Sequence, residues 1–154
     1  MKTTYLLAAL LGLPGTVLAQ QTSSRCPTLP SSADLQWDEQ ASTGFLACKA
    51  RSNDGRHSLN MMLMSRDPDI HLSRSQRAES GTFSGKELHW YVPELAGRDA
   101  AYAASRRITV VKLGKDQYAQ VWIDAESPEE LGQLQSMASQ LDVSAGTNYL
   151  VSGK

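Results

Sequence analysis

Apolar and polar positions alternate most cleanly in two stretches of the chain, and both predict hairpins. In FLACKARS (45–52), Phe45, Ala47 and Lys49 fall on one side of an extended backbone, and Leu46, Cys48 and Ala50 on the other. Asn53-Asp54-Gly55-Arg56 then supplies turn chemistry, and 57–65 reads as the return strand, so a hairpin is expected over 45–65. The second pair, RITVVKL (107–113) and QYAQVWIDA (117–125), flanks Gly114-Lys115-Asp116, a three-residue hairpin connection. Ala119, Val121 and Ile123 share one face there, and Tyr118, Gln120 and Trp122 the other.

Weaker patterns fill the remainder. DLQWDEQ (34–40) and KELHWYV (86–92) have strand composition, with Leu88, Trp90 and Val92 expected to face a core. The segment 66–85 is polar and interrupted by Pro68, Gly81 and Gly85; it reads mainly as an irregular connection, with a short strand near Arg77-Ala78-Glu79. Five alanines in 93–106 predict a short helix over about 99–105. Ser127-Pro128-Glu129-Glu130 is a helix start: Ser127 caps, Pro128 suits the first turn, and Glu130 completes a capping box. From there Leu131, Leu134, Met137, Ala138 and Leu141 form one apolar stripe, so a helix is expected over about 128–141. The tail 143–154 carries an expected edge strand at 149–151. Together these elements predict an α+β fold, mainly antiparallel sheet, with the C-terminal helix packed on one face.

The first residues change the picture of where the chain acts. Lys2 is followed by an apolar run over 5–13, a Pro14-Gly15 break, and small residues at Val17 and Ala19, the three-part pattern of a secretory signal peptide cleaved after Ala19. The apolar run is well short of the roughly 20 residues a membrane-spanning helix needs, so no transmembrane segment is expected. The reading divides the chain into a signal peptide (1–19), an extended N-terminal arm (20–33) and a single globular domain (34–154). Arg25 directly before Cys26 breaks the small-residue box that lipidation requires, so an exported protein that is periplasmic or secreted, and not a lipoprotein, is expected. In an oxidising compartment Cys26 and Cys48 have one intrachain pairing available, worth roughly 3 kcal/mol in the chain-entropy model. Two buried free thiols are the alternative.

Charge and motifs narrow the functional classes. Without residues 1–19 the chain holds 14 basic against 16 acidic residues, a formal charge of −2. That balance offers no footprint for nucleic acid or anionic membrane. The sequence contains no H-E-x-x-H, G-x-S-x-G, P-loop or dinucleotide fingerprint, and no N-x-S/T glycosylation site.

Four features bear on chemistry. Asp67, Asp69 and His71 alternate in DPDIH and would face one way on an extended strand, as metal ligands could; Pro68 and the leading Asp equally describe a plain turn. His57 with Met61, Met62 and Met64 is reminiscent of soft Cu(I) ligation, but strand alternation splits the thioethers between faces, which favours core packing. Glu87 and His89 would sit on one face with Tyr91, as an acid/base pair or as polar cover and contact surface. Arg66, Arg74, Arg77, Arg106 and Arg107 could grip an anion or an acidic protein, although Asp67, Asp69 and Glu79 lie among the first three.

These features do not converge on one reaction, and no catalytic residue, metal ligand or cofactor is assigned. The leading expectation is a binding module whose partner is another protein of the envelope or exterior, as for an inhibitor or immunity factor against a toxic enzyme, with His89, Tyr91, Arg74 and Arg77 as binding residues. A metal or small-ligand carrier and, less favoured, a small hydrolase using His89 or His71 are the alternatives.

Overall fold

The computed structural model describes residues 24–94 and 99–152; the signal-peptide reading of 1–19 and the start of the arm lie outside them. Seven strands form one antiparallel sheet: β1 (Leu35–Ser42), β2 (Phe45–Ser52), β3 (Ser58–Met64), β4 (Arg77–Phe83), β5 (Lys86–Tyr91), β6 (Arg106–Gly114) and β7 (Gln117–Asp124). Their order across the sheet is β1-β2-β3-β7-β6-β5-β4. Both expected hairpins are present, as β2–β3 and β6–β7. Since every neighbouring pair is antiparallel, β3 and β4 run in the same direction, and residues 65–76 carry the chain back to the far edge. A single 3-10 turn at Arg74–Gln76 leads into β4.

Register places the alternation seen in the sequence onto two faces. Glu39, Cys48, Met61 and Val121 are successive partners on the inner face, where Leu46, Leu59, Leu63, Ala119, Ile123, Leu88 and Trp90 are also buried. The outer face carries Lys49, Met62, Met64, Gln120, Trp122, His89 and Tyr91. Met61 therefore belongs to the core, with Met62 and Met64 on the opposite side.

Among the described residues three helices join the sheet: α1 (Ala100–Ala104), α2 (Pro128–Ser139) and α3 (Ser144–Ser152). The cap of α2 is as the sequence predicts: Ser127 Oγ accepts from the Glu130 N–H at 3.2 Å. Glu130 reaches back one residue further than a capping box would, accepting the Glu126 N–H at 2.7 Å. It also meets His57 Nδ1 at 2.8 Å, tying the start of α2 to the β2–β3 hairpin. Leu131, Leu134, Ala138 and Leu141 are buried along the expected stripe.

Two expectations need correction. The segment 77–83 is a full edge strand, β4, where an irregular connection with a short strand was expected. The tail expected to hold an edge strand at 149–151 is α3. Asp142 Oδ1 accepts the Ser144 N–H at 2.9 Å at its start, and Gly146 and Leu150 are buried against the sheet.

The arm is held at several points. Cys26 and Cys48 form a disulfide with Cα atoms 5.8 Å apart. Glu39 accepts from Ser24 Oγ at 2.9 Å, Arg25 N at 2.9 Å and Cys26 N at 3.2 Å, and Trp37 Nε1 donates to Pro27 O at 2.6 Å. Burial raises the Glu39 pKa, but the hydrogen bonds from Arg25, Ser24 and Cys26 outweigh it and leave the carboxyl below its ordinary range.

Candidate functional site

Three of the four expected binding residues meet at the β4–β5 edge. Ser84 and Gly85 join these strands as a two-residue turn with φ of 48° and 75°, both positive as a type I′ turn requires. The turn fixes Phe83 opposite Lys86, and the ladder then places Thr82 opposite Glu87, Gly81 opposite Leu88 and Ser80 opposite His89. An irregularity between Arg77 and Ser80 resets the register so that Arg77 faces Tyr91. On the outer face the Arg77 guanidinium lies 6.0 Å from the Tyr91 ring centre, and Ser80 Oγ lies 3.2 Å from His89 Nδ1. Arg74 stands apart on the 3-10 turn: its carbonyl accepts the Arg77 backbone N–H, but its exposed side chain makes no hydrogen bond or ion pair to the other three.

The same ladder decides which backbone groups are free. In a two-residue hairpin the pair closing the turn exchanges hydrogen bonds, and alternate pairs follow suit. Phe83 and Gly81 thus direct their N–H and C=O groups at β5, while Ser80 and Thr82 direct theirs outward from the sheet. No further strand covers β4 among the described residues.

Beside this edge, on the inner side, lies a groove of about 830 Å³ between β4–β5 and α2. Gly81, Leu88 and Trp90 line it from the sheet, and Gln135, Ser136 and Ser139 from the helix. Its end is braced by a network that the sequence pattern does not reveal. Arg107, 8% exposed, grips Glu79 with Nε at 2.8 Å and Nη2 at 2.6 Å, and Gln135 Nε2 adds a third bond to Glu79 at 3.2 Å. The lone signal for it in the sequence is a charged residue, Arg107, at a position the β6 alternation turns inward.

The Arg107 hydrogen bonds outweigh burial and hold the Glu79 carboxyl down to about 2, from an ordinary value near 4.5. A depressed carboxylate stabilises the fold above its unfolded pKa, and that contribution is lost as pH falls through the folded one. Stability that depends on Glu79 is therefore expected to decline between about pH 4.5 and 2. Glu79→Gln removes this share of the decline, so denaturation midpoints of wild type and variant should converge across that window. Parallel curves with a constant separation would contradict the assignment.

Other expected features are placed elsewhere. Asp67 Oδ1 accepts the Asp69 N–H at 3.0 Å, and Asp69 has φ of 54°, which is turn geometry. Asp67, Asp69 and His71 form no metal-holding cluster, nor does any other group of three among the described residues. His57, read beside the methionines, pairs with Glu130 instead. Arg106 stacks 3.4 Å over the Tyr102 ring and lies near Asp124, so both Arg106 and Arg107 are engaged within the fold. The Ser80–His89 pair is joined by no carboxylate hydrogen bond among the described residues, leaving Glu87 outside it.

No protein-family model, curated protein or solved structure matches this chain. The site's own chemistry therefore carries the functional reading. No helix among the described residues is long and apolar enough to cross a membrane.

Proposed function

We propose that this is an exported protein-binding module, acting in the envelope or outside the cell, whose β4–β5 edge receives another protein. The observation that carries this reading is the convergence of an aromatic ring, an arginine and a histidine on a strand edge whose outward backbone groups meet no further strand among the described residues. Tyr and Arg are favoured at the energetic centres of interfaces, and a free strand edge is a ready template for main-chain recognition. The disulfide suits an oxidising compartment, and the signal-peptide pattern supplies the route there. An inhibitor or immunity factor against a toxic enzyme fits this chemistry: it works by occupying a surface and needs no reacting group of its own.

The test uses the mature chain and an Arg77→Glu/Tyr91→Ala variant. A partner recovered from envelope extract on the wild type is purified and titrated against both. The variant is expected to bind at least about tenfold more weakly, the equivalent of 1.4 kcal/mol. Equal affinity for both would overturn the placement of the binding surface.

A further inference from the structure

We propose that the groove between β4 and α2 takes an extended peptide segment of the partner, added as a further strand along β4. One oxygen-bearing side chain of that peptide reaches over Gly81 to the indole N–H of Trp90. This rests on the protein-binding reading and names how the edge is used.

Trp90 is 2% exposed, yet its indole N–H donates to no protein group among the described residues. The ring lines the groove, and Nε1 is the atom nearest to where a side chain at position 81 would begin: a Cβ there would lie 3.0 Å from it. Gly81 has no positive φ, so its backbone does not require glycine. What its missing side chain provides is a window through which the indole N–H faces the groove. Opening onto the groove without a protein partner, this donor is free to take an acceptor that a bound segment supplies.

The ladder predicts how an acceptor arrives. A strand that pairs with the outward groups of Ser80 and Thr82 places one residue opposite Gly81 in a non-hydrogen-bonded pair, where facing side chains come closest. That residue's side chain points to the inner face, into the groove beside Gln135 and Ser136. Asp, Asn, Glu or Gln there presents an oxygen to Trp90 Nε1.

A second copy of the chain does not meet this requirement. In two-fold antiparallel pairing of β4 with itself, the registers that match outward groups bring Glu79, Gly81 or Phe83 opposite Gly81. Glu79 is already held by Arg107 and Gln135, glycine has no side chain, and Phe83 has no acceptor. The charges of Arg77 and Glu79 and the irregularity between Arg77 and Ser80 also guard this edge against unselective pairing.

The experiment pans the purified mature protein against a displayed library of random linear dodecapeptides. Enriched peptides are synthesised and titrated against wild type, Gly81→Ala and Trp90→Phe, with thermal melts confirming that both variants fold. The expected result is a shared Asp, Asn, Glu or Gln among the peptides, and about tenfold weaker binding to each variant. Replacing that peptide residue by alanine should cost the same on wild type and nothing further on Trp90→Phe, a readout that leaves the protein unaltered. Peptides that bind all three proteins alike, or share no acceptor, overturn the groove assignment; the protein-binding reading survives if Arg77→Glu/Tyr91→Ala still releases them. A library that yields no binder, or an edge closed by self-association, also overturns the proposal.

Discussion

Replacing Cys26 and Cys48 together by alanine is expected to lower stability by roughly 3 kcal/mol. The bond joins positions 22 apart in sequence and fixes the arm to the inner face of β2, where Cys48 is 1% exposed. Its loss frees the unfolded chain of a loop constraint, and the vacated inner face adds a packing loss. The arm does not come away entirely, since Glu39 still gathers three donors from Ser24, Arg25 and Cys26, and Trp37 still donates to Pro27. Urea denaturation should therefore show a lower midpoint with one cooperative transition, and reduction of the wild type should reproduce it. A change below about 1 kcal/mol would show that the arm's hydrogen bonds, and not the covalent bond, hold it in place.

The second large effect concerns α3. A Cβ at Gly146 would lie 2.5 Å from Leu63 Cδ1, 2.9 Å from Leu46 Cδ2 and 3.2 Å from the Arg25 carbonyl oxygen. Glycine is thus required there by close approach of the helix to the sheet. Gly146→Val is expected to cost about 1–3 kcal/mol through overpacking, and Leu63→Ala about 2–5 kcal/mol through the cavity it leaves. Because the added methyls point at the space Leu63 vacates, the double variant should lose less than the two single losses combined. Chemical denaturation of the four proteins reads this coupling, and simple additivity would contradict the packing.

These contacts also explain why the sequence pattern of the tail points to a strand where the structure has a helix. Asn148-Tyr149-Leu150-Val151 is a short apolar run, which periodicity alone cannot assign to strand or helix. Only the docking of Gly146 on Leu46 and Leu63, a long-range fact, settles it. The strands β2, β3, β6 and β7 were legible because each has one buried face and so alternates. By contrast β4 lies at the edge, exposed along most of its length, and its irregularity breaks the period of two. The signal that marks it is local: Phe83-Ser84-Gly85-Lys86, a two-residue turn between a buried aromatic and a strand already recognised in KELHWYV.

The candidate site divides the same way. His89 and Tyr91 on one face of β5 follow from alternation, and Arg77 joins them because the β4 register brings it opposite Tyr91. Composition groups Arg74 with them, but its exposed side chain stays off their face, and only its carbonyl meets the Arg77 N–H. The groove, the Trp90 donor and the Glu79–Arg107–Gln135 brace all depend on where α2 settles against β4, and no window of sequence contains that.

The most direct measurement is amide hydrogen exchange of the protein with and without its bound partner or selected peptide. The expected result is newly slowed exchange at Ser80 and Thr82, whose outward N–H groups acquire carbonyl partners, with β1 at the opposite edge unchanged. Protection gained along Leu35–Ser42, or on the helices alone, with Ser80 and Thr82 unaffected, would contradict recognition through the β4 edge.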